Sequence, residues 1–224
     1  MPTTLGIVAN PPHEQAGPGI RRGVVPSALL ICGILASLTY VATDICAGTL
    51  YSGYSFADQA VSELFAIGAP TSHIVVPFFT LSSGLVAAFA LGVWRSSPHN
   101  RAQRVIAWMM LGNAMNSLVL WNFFPMHMRG STPTFTDAMH GILAINPFVP
   151  LSVIFGIAAF KGWFRSYSAA TVLFLLVPAV LSFSNITAFV ANQPTPGMGL
   201  TERASQYGYQ LWQALLAGVL LARR

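Results

Sequence analysis

Charge is what this sequence has least of. Only 8% of its 224 residues are Asp, Glu, Lys or Arg, against about 25% in an ordinary soluble domain. With 54% hydrophobic residues the mean hydropathy reaches +0.61, which excludes a water-facing surface over most of the chain and makes it a membrane protein. Alternating polarity is missing too: runs such as GLVAAFALGVW and ALLAGVLLA are continuously apolar, which argues against a transmembrane β-barrel. Cysteine is limited to Cys32 and Cys46. Both fall on one predicted helix, about 21 Å apart at 1.5 Å per residue and beyond disulfide reach, so their expected role is packing. There is no H-x-x-x-H or H-E-x-x-H pair, no G-x-S-x-G elbow and no Gly-rich phosphate loop after a strand. His127, His140, Asp137 and Glu63 are of types that suit zinc, but no metal and no cofactor is expected from these spacings.

What is present are apolar stretches near the 20 residues that cross about 30 Å of hydrocarbon. They run at roughly 25–47, 73–94, 104–124, 138–160, 168–190 and 204–222. The expected fold is therefore all-α, a polytopic membrane protein with six transmembrane helices and a short amphipathic interfacial helix at about 55–66. Residues 1–23, rich in Pro and Gly, read as a disordered cytoplasmic tail, and 24–224 as a single domain. With the amino terminus inside, Arg21, Arg22, Arg95, Arg101, Arg104, Lys161, Arg165, Arg223 and Arg224 lie on the inner side, and only Arg129 and Arg203 on the outer. This asymmetry predicts two cytoplasmic termini. The net charge of +5 then reports topology and contact with anionic headgroups, and nucleic acid is excluded as a partner.

The carboxylates follow the opposite rule. Apart from Glu14, all of them (Asp44, Asp58, Glu63, Asp137 and Glu202) fall at or beyond the outer helix ends. In YSFADQAVSELFAIGAP, residues 54–70, apolar Phe56, Ala57, Ala60, Val61, Leu64 and Phe65 share one helical face and Ser55, Asp58, Gln59, Ser62 and Glu63 the other. Ser55 is the expected cap, with Asp58 in the first turn and Gly68 and Pro70 as the stop. Glu63 lies past that turn and is the more informative carboxylate. Asp137 and His140, three apart, share a face on the fourth span, so the carboxylate can orient the imidazole; Thr134 and Asp137 also read as a capping pair. Thr201 is the expected cap of the last helix. Arg203, a cation on the outer side, is expected to pair with Glu63 or Asp58 or with a headgroup. The polar residues within spans (Asn113, Asn116, Asn122, His140, Asn146, Ser182, Ser184, Asn185, Gln206, Tyr209, Gln210 and Gln213) lie in the outer halves. They predict a polar cavity open outward above an apolar plug, and the apolar inner half disfavours ion transport.

At these residues the chain resembles a six-helix bacterial membrane family, domain of unknown function 998, over about residues 28–222. The resemblance rests on Asp58, Ser62, Glu63 and Leu64 in a D-x-x-x-S-E-L pattern, Phe124-Pro125, His140-Gly141, Gly199-Leu200, Glu202-Arg203 and Trp212. In that family an acidic residue often follows the Phe-Pro pair, and here His127 stands nearby. The resemblance implies a fold, a site on the outer face and a bacterial inner, or cytoplasmic, membrane location; it implies no reaction.

The candidate acid/base residues are Glu63, His140 and Asp137, with Asp58, Ser62, Asn116, His127, Asn185, Glu202, Arg203 and Tyr209 as ligand-binding residues. Glu63 is expected near both Arg203 and His140. The expected ligand is a lipid or isoprenoid-like amphiphile, a hydrophobic or amphipathic small molecule met among membrane lipids. The competing reading is a non-catalytic membrane subunit or sensor whose outer polar network is structural or docks a partner.

Overall fold

A computed structural model describes residues 27–96 and 99–223; the expected tail at 1–23 lies outside them. The described chain is all-helical, and its one β-bridge is an isolated pairing of Ile67 with His127. The elements are α1 (Ser27–Leu50), a 3-10 turn (Val61–Phe65), α2 (Ser72–Ser96), α3 (Arg101–Phe123), α4 (Phe135–Ala144), α5 (Phe148–Ala159), α6 (Trp163–Phe183), α7 (Ile186–Val190) and α8 (Met198–Ala222). Four stretches are long and apolar enough to cross a membrane: Ser27–Leu50, Ser72–Ser96, Phe135–Ala159 and Trp163–Ser182. α3 and α8 match them in length, with 23 and 25 residues, but are more polar.

The long helices run up and down and close into a ring. α1 packs on α2, α2 on α3, α3 on α5, α5 on α6, α6 on α8, and α8 back on α1. Small residues let the rods approach: Gly33 faces the Phe89 ring, Gly92 faces Leu29 and Leu30, and Gly156 faces Ser168 and Trp212. The main core gathers Phe89, Met110, Phe164, Tyr209, Trp212 and Leu216 inside the ring. The loops at one end, 51–71, 124–134 and 191–197, carry Asp58, Glu63 and Arg129, with Asp44, Asp137, Glu202 and Arg203 on the adjoining helix ends. This is the acidic end. Arg95, Arg101, Arg104, Lys161, Arg165 and Arg223 lie toward the other.

Two local expectations fail for tertiary reasons. Residues 55–66 are not a three-turn amphipathic helix but a turn at 55–59, where the Asp58 and Gln59 amides bond Ser55 O, followed by the 3-10 turn. The carbonyls an α-helix needs are taken elsewhere: Phe56 O and Gln59 O by Arg203, Ala57 O by the Leu200 amide, Asp58 O by Thr195 and Ala60 O by Tyr54. Hydrogen bonds to distant partners therefore outweigh a local helical pattern. The fourth span is not one continuous helix, since α4 and α5 are separated by Asn146, at φ 36°, and Pro147, which has no amide to donate.

Candidate functional site

The acidic end is built around two guanidiniums, Arg203 buried and Arg129 partly exposed. Arg203, on the first turns of α8, grips Asp44 of α1 with two bonds, Nε to Oδ2 at 2.9 Å and Nη2 to Oδ1 at 2.8 Å. Asp44 is 0% exposed and Arg203 6%, and the Tyr207 hydroxyl also donates to Asp44. The remaining Arg203 N–H groups go to Phe56 O at 3.0 Å, Gln59 O at 3.1 Å and the Tyr54 hydroxyl at 2.6 Å, with the Phe56 ring 4.9 Å from Cζ. All five guanidinium donors are used, which is the condition under which a buried ion pair can be tolerated. Burial also pushes the Tyr54 phenol well above its usual range, so it stays a neutral donor to Ala60 O.

Glu63 has a different cation. Arg129 Nε and Nη2 reach its two oxygens at 3.0 and 2.8 Å, while the Ala60 amide and the Gln59 side chain donate to the same carboxylate. Arg129 also reaches Gln193 O and lies over the Phe189 ring, 4.7 Å from its centroid, tying the second loop to the third. Glu202 Oε2 accepts the Val61 amide at 3.0 Å. Asp58 Oδ1 accepts the Gly197 amide at 2.9 Å; that bond and the Ser55 hydroxyl hold its carboxyl below the usual carboxylate range. Asp137 accepts from the His127 amide and Nδ1 at 2.7 and 2.9 Å and completes a capping box with Thr134.

These contacts correct several expectations. Arg203 pairs with Asp44 rather than Glu63 or Asp58, because Asp44 lies inside α1 where an unpaired carboxylate has no water to turn to. Glu63 pairs with Arg129 and not with Arg203 or His140, and it takes on a capping role by accepting the Ala60 amide. Asp137 orients His127 rather than His140, whose Nδ1 donates to Phe124 O at 2.8 Å beside the Phe65 ring. The last helix begins at Met198, so Thr201 bonds Gly197 O from within the first turn instead of capping. Asn116 donates to Leu143 O, and Asn185, between α6 and α7, donates back to Leu181 O of α6; Ser62, half-buried, joins none of these pairs. Sequence reasoning missed Arg129, Tyr54 and Tyr207, and it left Asp44 out of the site. The signal for Asp44 was available, since a carboxylate six residues inside a span demands a cation from another helix.

The loops at this end interlock. Among them lies a shallow, open cleft of about 330 Å³ lined by Asp58, Gln59, Arg129, Pro194, Thr195 and Pro196; Asn113, Tyr209, Gln210 and Gln213 are buried below it. Among the described residues no three His, Cys, Asp or Glu side chains converge as a metal site.

The side of the bundle at α4 and α6 is more thinly packed. α4 packs on α3 but makes no substantial contact with α6, whereas α5 packs on both α3 and α6. From Leu176 to Leu181 no residue of α6 is buried: Leu176, Val177, Ala179, Val180 and Leu181 are exposed and Pro178 half-exposed. The stripe that is buried at Thr171 and Leu175 continues only as half-exposed Pro178 and Ser182, so the packed face of α6 is thinly covered over this half. On α4 only His140 is buried. The two half-helices do not pack on each other, and the gap between them, here called the wedge, ends where α5 packs on α6.

The chain matches a family model described as "Protein of unknown function (DUF998)" over residues 34–219. It belongs to that family. No curated protein and no solved structure matches it. Family membership and the apolar helices together make this an integral, multi-pass membrane protein. The segments that carried the resemblance now have physical roles. Glu63, Glu202 and Arg203 are members of the loop network, Phe124 accepts from His140, Gly199 lies against the 56–59 loop, and Trp212 donates to Ser168 in the core.

Proposed function

We propose that this protein is a six-span component of the cytoplasmic membrane, with both termini inside and the acidic end outside. On this reading it binds a lipid or isoprenoid-like amphiphile that enters sideways from the bilayer, between α4 and α6. The observation that carries the reading is that no residue of α6 from Leu176 to Leu181 is buried and that α4, which packs on α3 and not on α6, buries only His140. A helix in a finished bundle buries one stripe; one that buries none faces acyl chains or a guest of the same chemistry. The charged groups then serve the frame. Every oxygen of Asp44 and Glu63 is engaged by internal donors, which supports a role in holding the loops and α8 together rather than proton transfer to a substrate. The same satisfied network also fits a non-catalytic subunit, in which case a partner helix would fill the wedge.

The test is a tryptophan scan over residues 176–181, with lipid retained by the purified protein measured by native mass spectrometry. Substitutions on one helical face are expected to lower retention about tenfold, equivalent to 1.4 kcal/mol. The control Leu38→Trp, at an exposed position on α1, should leave retention unchanged. No retained amphiphile in the wild type, or equal effects at every position and in the control, would remove the lateral site.

A further inference from the structure

At the apex of the wedge lies an uncharged polar cluster that the frame does not use. The α4–α5 break exposes backbone needs that α3 meets: Asn116 Nδ2 donates to Leu143 O at 2.9 Å, and Asn146 Nδ2 donates to Asn113 Oδ1 at 2.8 Å. Two atoms remain. Asn146 Oδ1 and the Tyr209 hydroxyl are both buried without a hydrogen-bond partner, and Tyr209 is 2% exposed. The Tyr209 hydroxyl is directed toward Asn113 and Ser152 but comes within hydrogen-bond distance of neither. Asn113 thus adjoins both orphaned atoms. Leaving each unpaired costs about 1–3 kcal/mol, and both sit near the middle of their spans, where bulk water does not reach.

We infer that this cluster is the headgroup subsite of the lateral wedge and takes an uncharged hydroxyl, the alcohol of a long-chain or isoprenoid-type lipid. The inference rests on the lateral-entry reading and names the ligand class for it. The donor and acceptor pattern is complementary: an alcohol O–H donates to Asn146 Oδ1, and its oxygen accepts from the Tyr209 hydroxyl. A carboxylate has no proton to offer Asn146, and a quaternary ammonium neither donates nor accepts. Charge is also unmatched here. The nearest formal charge along α8 is Arg203, six residues or about 9 Å away, and it is already committed to Asp44. A charged headgroup would be stripped of water with no counterion, a penalty far above that of a hydroxyl. Leu176 and Ala179, exposed on the continuation of the α6 face that meets α5 through Ser168, supply an apolar wall for the chain. α4, packed only on α3, is the wall that gives way for entry.

The experiment uses the full chain and three probes of equal chain length: 1-hexadecanol, hexadecanoate and hexadecyltrimethylammonium, with binding at neutral pH measured by native mass spectrometry. Hexadecanol is expected to bind at least about tenfold more tightly than either charged probe, and Tyr209→Phe to weaken it about fivefold to tenfold, the loss of one hydrogen bond. Because the hydroxyl has no protein partner, the same variant should melt at or above the wild-type temperature, which a structural role for the hydroxyl would not allow. Asn146→Gly, which keeps the positive-φ backbone available, is the second variant and should weaken hexadecanol similarly. If all three probes bind alike, or Tyr209→Phe binds hexadecanol as well as wild type, the headgroup subsite is overturned while lateral entry stands. If no probe binds and the cluster holds only water, both readings fall.

Discussion

Asp44→Ala is expected to lower the unfolding free energy by about 3–5 kcal/mol, the loss typical of removing one partner from a buried ion pair. The cost comes from Arg203. With Asp44 gone, its Nε and one Nη2 hydrogen lose their acceptors at a position 6% exposed, while Nη1 and Tyr54 still hold the guanidinium against Phe56 O and Gln59 O. The charge is therefore retained, buried and unbalanced. Tyr207 also loses its acceptor. Adding Arg203→Met to Asp44→Ala should recover part of the loss, because the double variant strands no charge, although the loop carbonyls at 56 and 59 then go unpaired. Denaturant or thermal unfolding of the detergent-solubilised chain reads both effects. A double variant as unstable as the sum of the singles would mean that the two residues do not act as a pair.

The second large effect is steric. In Gly199→Ala the new Cβ would lie 2.6 Å from Phe56 O and closer still to Gln59 O, with Arg203 Nη1 at 2.9 Å. Methyl groups do not tolerate backbone oxygens at such separations, so the loop has to move. These are the same two carbonyls that Arg203 holds, and moving them breaks those bonds as well. Overpacking and lost hydrogen bonds together should cost about 2–4 kcal/mol. At Gly84, also helical, an added methyl group would meet nothing within 4 Å, and Gly84→Ala should be neutral or slightly stabilising through helix propensity. Melting curves for the two alanine variants separate a packing requirement at Gly199 from a general intolerance of glycine replacement.

Class and element order were legible because they depend on long runs: apolar stretches of membrane length, charge sorted to opposite sides, and the Gly199-Leu200 and Glu202-Arg203 motifs of the family. The gathering of Asp58, Glu63, Glu202 and Arg203 at one end was legible for the same reason. The pairings were not. Which carboxylate meets Arg203 depends on α1 closing the ring against α8, a relation between residues 159 apart that no local pattern carries. The 55–66 stretch misled because its periodicity is real while its carbonyls belong to Arg203, Tyr54, Thr195 and Leu200. Asn146-Pro147 did carry a readable signal: the residue before proline avoids the α region, and a break was to be expected there. The wedge had no such signal. Leu, Val and Phe on α6 look the same whether they meet a neighbouring helix or lipid.

The central claim, that no residue of α6 is buried from 176 to 181 toward the acidic end, is tested most directly by nitroxide scanning of residues 176–181 in reconstituted bilayers, with collision by dissolved oxygen as the readout. Oxygen partitions into hydrocarbon and is excluded from packed interiors. Positions 35–38 of α1 provide the internal scale, since Leu35 and Leu38 are exposed while Ala36 and Ser37 are buried. The account predicts collision rates near those of Leu35 and Leu38 at 176, 177 and 179–181, with no more than a shallow dip at 178. A 3.6-residue oscillation, with one face of 176–181 as protected as Ala36, would contradict it.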